Sequence, residues 1–548
     1  MSLKPRKTIE IPPDTKQLAE KLYKRKPTVA FTMAQQLSSI FQDEEFADLF
    51  PTRGQPAQSP AVLAAVVVLQ FTEGLSDRQA EEATRSRVDW KYATALSLDH
   101  PGIEHTVICE FRSRLLENGA EWRLFEKLLE ELRERGLIKE RGRQRTDSTN
   151  VLASVRELNR LERVGETMRA TLNALMDEAP EFLQDAFKGE WHERYGRPFF
   201  NMRLPKEDSK REKLGEAIGR DGFDLLRAIA ESSEKERLEA LAEVKILRQV
   251  WDQEYIEKPD KSDGPKFRKP EEMKPAAERI ASPYDPEARW STKREHDWVG
   301  YKVHITETCD KDLPRLITNV ATTAATTNDQ HMLDPIHKSL AARNLLPSEH
   351  LVDRGYTNGE SLAFSKRDYD VNVIGEVTED HSWRVQQGEG FEKANFAVDW
   401  EKQVVTCPAG MKSSSWKTDK TGQTQVDFSQ RRCRGCPNRS VCVGEKATHR
   451  TLSLQPQLQE EALQAARERQ KTDEFKKTYA QRAGVEGIIS QTVRRCGLRR
   501  TPYVGMAKTQ LQHILIAVAV NVIKFTEWMH NTPLARTRRP RFAALHAA

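Results

Sequence analysis

The stretch Trp298–Thr308, "WVGYKVHITET", decides the fold. Its side chains alternate apolar and polar, the period-2 pattern of a half-buried strand. After a turn over Asp310–Pro314, "RLITNVATT" (Arg315–Thr323) repeats the pattern. "DQHMLDPIHKSLAARN" (Asp329–Asn344) reads as a helix, and "EHLVD" (Glu349–Asp353) as a short apolar strand closing on an aspartate. Gly355 turns the chain, a helix begins near Asn358, and "YDVNVIGEV" (Tyr369–Val377) is another strand. Strand, strand, helix, strand, helix, strand is an α/β or α+β sheet domain. Long helices from about Leu458 to Met529 are expected to cover it.

Upstream, the chain to about Gly136 reads as helix. Ser59-Pro60 opens an apolar run to Phe71 that Gly74 closes, and Ser76 with Gln79 forms a capping box for the next helix. Further helices are expected from Thr106 and Ala120. With exposed Arg78, Arg85, Arg87, Arg112 and Arg114 they suit a helix-turn-helix-like DNA-binding unit; a plain helical bundle fits the pattern equally well. Val151 to about Glu254 reads as charged amphipathic helix, and the Pro- and Lys-rich stretch 258–289 as a linker or extended arm. No internal repeat is visible.

The 548 residues exceed one compact core, so two to four domains are expected. A charged fraction of 31% against 38% hydrophobic suits a soluble, helix-rich protein. The net charge of +5 is small, but arginines cluster at 141–145, 431–432, 494–500 and 536–541. Such clusters often face phosphate; for any one alone, a solvated surface is the plainer reading. "MSLKPRKTIE" lacks the apolar core of a secretory signal. The most apolar stretch, Leu511–Met529, carries Gln512, His513, Asn521, Lys524 and Glu527, which reads as a buried helix rather than a membrane span. A cytoplasmic, reducing setting follows, in which seven cysteines are not a disulfide framework.

Four of those cysteines lie close together: Cys407 in "VVTCPAG", and Cys433, Cys436 and Cys442 in "CRGCPNRSVC". Four thiolates with one C-x2-C pair suit a closed tetrahedral zinc site; a set of small buried hydrophobes or a redox pair is the alternative. Arg431, Arg432, Arg434 and Arg439 around them suggest contact with DNA. Cys109, Cys309 and Cys496 are isolated.

Glu486 is a second anomaly. In "YAQRAGVEGIISQTVRRCGLRR" (Tyr479–Arg500) helical spacing sets it on the stripe of Phe475, Tyr479, Ile489 and Val493, one turn after Arg482. A carboxylate facing inward needs a partner: Arg482, a metal ion, or both. Asp353 at a strand end can reach a metal, although turn and cap aspartates are commoner. Asp147, in "RQRTDSTNVLA", has the same two readings. Lys302 and His304 share a strand face with Trp298; they, His296, Asp329 and His331 read most simply as surface residues.

"RTDSTNV", "WVGYKVHITET", "LITNVATTAATTNDQ", "LVDRGY" and "YAQRAGVEG" together resemble the ordered blocks of bacterial insertion-sequence transposases of the DDE type, in the group with a helical N-terminal domain and a four-cysteine insertion. The resemblance runs from about Ser59 to Met529. It implies a ribonuclease-H-like mixed α/β sheet with flanking helices, and an acid triad of Asp147, Asp353 and Glu486 holding two Mg²⁺ or Mn²⁺ ions. The last block has Tyr479, Arg482 and Glu486 in family spacing. The family's lysine position holds Val493, so Arg494 or Arg495 is the substitute phosphate contact. Two divalent ions about 4 Å apart suit in-line displacement at a phosphodiester.

The expected organisation is a helical N-terminal DNA-binding domain (1–136), the first catalytic strand (137–152), a helical insertion and linker (153–282), the catalytic core sheet (283–395), a Cys-rich insertion with structural Zn²⁺ (396–455), C-terminal helices (456–530) and a basic tail (531–548). The expected activity is cleavage and strand transfer on double-stranded DNA, at the element's terminal inverted repeats and a target. The expected setting is a homodimeric synaptic complex, cytoplasmic and nucleoid-associated, with no membrane. A ribonuclease-H-like nuclease or resolvase, or a transposase-derived DNA-binding protein, are the rivals.

Overall fold

A computed structural model describes residues 2–6, 10–38, 40–256, 264–293 and 295–533. The arginines of the basic tail, Arg536–Arg541, lie outside the described residues.

Six strands form the central mixed sheet: β1 (Arg143–Leu152), β2 (Arg289–Lys293), β3 (His296–Thr308), β4 (Ile317–Ala324), β5 (Glu349–Val352) and β6 (Asn372–Ile374). β3 is the hub. One edge pairs antiparallel with β1, setting Asp147 opposite Ile305. The other edge pairs with β2 along its first part and with β4 along the rest. β1 pairs in parallel with β5, and β5 in parallel with β6. Parallel neighbours need a crossover, and the Gly359–Tyr369 helix supplies it between β5 and β6; the Asn358 side chain caps it by accepting from Ser361 N at 2.7 Å.

The Met506–Met529 helix is long and apolar enough to cross a membrane, yet 78% of its apolar window is buried inside the protein. It packs on β4 and on the Pro60–Glu73 helix. Its polar Asn521 has a specific task. The side chain accepts from Ile317 N (2.7 Å) and donates to Ile317 O (2.8 Å), satisfying the outer edge of β4.

Pro60–Glu73 is apolar on every side and therefore buried on every side. The Ser59 hydroxyl accepts from Val62 N at 3.3 Å, Pro60 occupies the first turn, and Gly74 ends the helix at φ +66°. Ser76 and Gln79 form the reciprocal box that starts the next helix. These N-terminal helices share one continuous apolar core with the sheet and the Met506–Met529 helix.

The arginines expected on their surface are mostly neutralised from within. Arg85 pairs with Glu81 and Glu82, Arg87 with Glu73 and Asp89, and Arg114 with Glu110. Arg112 is buried against Asp77 and Gln70. Of the five, Arg78 alone has no ion pair among the described residues.

Two further apolar clusters stand apart. One is built on helices Arg160–Glu178, Asp208–Glu231 and Ala242–Glu254 around Trp191 and Trp251. Buried Glu254 is held there by Arg160 and Arg163, each at 2.6 Å. The other gathers Phe396, Val405, Val426, Phe428, Leu452 and Cys442.

Candidate active site

Strand register brings two aspartates together. Thr146 of β1 is the parallel partner of Val352, the last residue of β5. Asp147, within β1, and Asp353, which follows β5, thus lie on adjacent strands, which run about 4.8 Å apart in the pairing direction. Their proximity is felt electrostatically. Burial pushes the Asp147 carboxyl up from its ordinary value; Ser148 N and Arg482 oppose this, and the Asp353 charge adds to it. Asp147 Oδ1 accepts from Ser148 N (2.7 Å), and Oδ2 accepts from Arg482 Nη1 (3.2 Å).

Glu486 reaches this pair through Arg482, whose Nη2 lies 3.5 Å from Glu486 Oε1. The inward orientation expected for Glu486 is corrected: its side chain is 66% exposed. The cause is a change in winding. Asp473–Tyr479 is α-helix, Ala480–Ala483 is 3-10, and α-helix resumes at Gly484–Cys496. A 3-10 turn takes about 3.0 residues rather than 3.6, so the phase of Phe475 and Tyr479 does not carry through. Val485, Ile488, Ile489 and Thr492 face inward, and Glu486 stands on the rim. Arg482 sits over the Tyr479 ring (5.8 Å), and Tyr479 stacks on Phe475 (5.4 Å, 11° between planes). Burial, aided by Glu376 and Asp353 against Arg482, pushes the Tyr479 phenol up to about 12.

The Gly484–Cys496 helix is seated by its first residue. Arg145 of β1 forms a buried pair with Glu307 (2.6 Å) and donates Nη1 to Gln481 O (2.5 Å). A Cβ on Gly484 would stand 2.0 Å from that nitrogen. Beyond the helix, Leu152 N donates to Arg499 O and Thr501 N to Leu152 O, so the chain rejoins β1. Arg495, one candidate for the lysine substitute, donates Nε to Thr72 O at 3.0 Å, at the end of the Pro60–Glu73 helix. Arg494 is exposed, and its Nε bonds only its own helix, at Ser490 O.

Lys302, His304 and Asp329 carry more than the surface role the sequence suggested. Lys302 Nζ donates to Asp329 Oδ1 (2.9 Å) and Thr327 O (2.7 Å), and Ser148 Oγ donates to Asp329 Oδ2 (3.0 Å). His304 Nδ1 pairs with the buried Tyr356 hydroxyl at 2.7 Å. The bonds to Asp329 and Thr327 tie β1 and β3 to the segment that follows β4, and the His304–Tyr356 bond ties β3 to the turn that follows Asp353. Burial pushes His304 down to about 4, which keeps the ring neutral near pH 7. The signal was in the sequence, because positions 302 and 304 share a face, but it needed the β1–β3 register to be read. His296 and His331 are exposed or partly so and outside this network.

Cys407, Cys433, Cys436 and Cys442 line one small cavity of about 30 Å³. Burial raises the Cys442 thiol; Arg450 and Arg384 oppose this, and Cys433 and Cys407 add to it. Among the described residues, no group of three or more His, Cys, Asp or Glu is drawn tightly enough to hold a metal ion, either here or at the aspartates.

Asp147 and Asp353 on neighbouring strands, with Arg482 bonded to Asp147 and beside Glu486, form one polar cluster of acids and a cation. Two family models match the chain: a transposase domain (DUF772) over residues 20–114, and a transposase DDE domain over residues 406–526. Over these two stretches, which together span under half of its length, the chain is similar to transposases of the DDE type. The second match includes the four cysteines, Tyr479, Arg482 and Glu486; Asp147 and Asp353 lie outside both. No curated protein and no solved structure matched.

Proposed function

We propose that the chain cuts phosphodiester bonds at the terminal inverted repeats of its element and joins the freed 3′ ends to target DNA. Asp147, Asp353 and Glu486 are its acids, and the sheet is a ribonuclease-H-like catalytic core. The observation that carries the proposal is the parallel register of Thr146 and Val352, which makes neighbours of Asp147 and Asp353.

The donor chemistry, though not the spacing of the three acids as they stand, suits the ions expected. Carboxylate oxygens are hard ligands suited to Mg²⁺ or Mn²⁺, and Asp147 and Asp353, with Glu486 swung in from the rim, would be the ligands. When bound there, two divalent ions supply activation of water or a 3′-hydroxyl and stabilisation of the leaving oxygen. Without them Arg482 offsets the repulsion between acids, and its guanidinium also suits a phosphate oxygen. Tyr479 and Arg494 line the approach. Cys407, Cys433, Cys436 and Cys442 border one cavity, and drawn closer they would hold structural Zn²⁺, which would bind the two halves of residues 396–455. The segmentation 1–136, 137–152, 153–282, 283–395, 396–455 and 456–530, a homodimer at synapsis, and a cytoplasmic, nucleoid-associated setting belong to the same proposal.

One rival has a specific observation behind it. The exposed Glu486 carboxylate suits a transposase-derived DNA-binding protein that keeps the fold without the chemistry. Cleavage of a labelled element-end duplex in Mg²⁺ decides: the proposal expects 3′-hydroxyl ends and joined products, lost in Glu486→Gln while DNA binding persists. Binding without cleavage favours the rival, and cleavage without joining favours a nuclease or resolvase. Elemental analysis tests zinc, expected at about one ion per chain for a four-thiolate site.

A further inference from the structure

The proposed DNA-binding role falls by sequence on the N-terminal helices, but the net positive charge is concentrated elsewhere. Residues 396–455 hold ten Lys and Arg against five Asp and Glu, a net +5, as large as that of the whole chain, so the remaining residues sum to zero. Residues 1–136 hold nineteen basic against twenty-one acidic side chains, a net −2.

Pairing sharpens the contrast. Four of the five N-terminal arginines named above are bound to carboxylates. In the insertion, the helix Gln430–Arg434 presents Arg431, Arg432 and Arg434 to solvent, and Lys412 is exposed nearby; none has an ion pair among the described residues. Lys412 and Arg432 line the same small cavity as the four cysteines, so these charges stand on one local framework. Arg439 is different: it donates to the carbonyls of Ala447 and Thr448 and holds the fold.

Unpaired arginines on a rigid surface are donors awaiting anions, and a row of them matches the spaced phosphates of a duplex. We infer that the Cys-rich insertion, through Arg431, Arg432, Arg434 and Lys412, is the sequence-independent phosphate grip of this protein on double-stranded DNA. The inference rests on the transposase reading for the identity of the polyanion.

The test is fluorescence anisotropy of the full chain on a duplex of random sequence across a salt series, for wild type, the triple Arg431→Ala/Arg432→Ala/Arg434→Ala variant, the matching triple Lys variant, and Arg85→Ala as an ion-paired control. Each phosphate contact contributes about 0.9 to the slope of log K against log salt, so the Ala triple is expected to lower the slope by about 2 to 3 and to weaken binding at least about tenfold near 0.15 M salt. The Lys triple and Arg85→Ala keep the wild-type slope, and all variants keep the wild-type melting temperature. An Ala triple that keeps both slope and affinity overturns the inference, as does a loss shared by the Lys triple, or a loss on duplex RNA with DNA binding intact. If the wild-type chain binds no duplex at all, the transposase reading itself fails with it.

Discussion

The guanidinium of Arg145 occupies the space that a side chain on Gly484 would need, with Nη1 2.0 Å from the position of that Cβ. One residue of β1 thus fixes the start of the helix that carries Glu486, two positions before Asp147 in the same strand.

Gly484→Ala must therefore push the helix away from β1 or displace Arg145 from Glu307. Overpacking of this kind costs about 1–3 kcal/mol. We expect a lower melting temperature and DNA cleavage reduced at least about tenfold, since a shift of about 1 Å at a catalytic group is enough for that loss. Affinity for duplex of random sequence stays within about twofold, because Arg431, Arg432, Arg434 and Lys412 lie outside this helix. Wild-type cleavage in a Gly484→Ala protein would show that the helix start is not what positions Glu486.

Arg494 and Arg495 are neighbours with different partners, and substitution should separate them. Arg495→Ala removes the bond to Thr72 O and one cation from a helix C-terminus, worth about 1 kcal/mol. Its effect is expected in thermal melting with DNA affinity unchanged. Arg494→Ala is expected to leave melting unchanged and to weaken binding of the element end several-fold. The reverse pattern would make Arg495 the phosphate contact.

The Lys302–Asp329 pair is mostly shielded from solvent and shares Asp329 with Ser148. A double-mutant cycle of Lys302→Met and Asp329→Asn by chemical denaturation is expected to give a coupling of about 0.5–3 kcal/mol. Strict additivity would mean that the pair contributes nothing to bracing the segment that follows β4 against β3.

Acid should destabilise the fold through its buried histidines. Burial pushes His304 and His337 down to about 4, and His513 to about 3, from an ordinary value of 6.5. The unfolded chain then binds protons first. The stability these neutral rings allow is complete above about pH 6.5 and is lost as pH falls toward about 4, at up to about 1.4 kcal/mol per pH unit per ring. Urea midpoints at pH 7.5, 6 and 5 check this, and His513→Gln is expected to flatten the decline. A midpoint constant from pH 7.5 to 5 would contradict it.

What was legible in the sequence was local. Strand alternation in 298–308 and 315–323, the Ser59-Pro60 start, Gly74 and the Ser76–Gln79 box are set by neighbours within a few residues, and the chain folds accordingly. The orientation of Glu486 was not, because a four-residue 3-10 segment resets the helical phase and leaves no distinctive residue pattern. The neutralised N-terminal arginines were hidden for another reason. Arg87 meets Glu73 from a different helix, and Arg112 meets Asp77 thirty-five residues away, so only packing reveals the pairs. Lys302 and Asp329 are a similar case, joined across a turn and a strand.

The central claim is that Asp147, Asp353 and Glu486 act together on a DNA phosphate. Single-turnover cleavage and joining of an element-end duplex in Mg²⁺ tests it most directly, with wild type beside Asp147→Asn, Asp353→Asn and Glu486→Gln, each first shown to bind the duplex like wild type. The account predicts that each substitution lowers both steps by at least about a thousandfold, near 4 kcal/mol of barrier. Cleavage within about tenfold of wild type in any one of the three would contradict it.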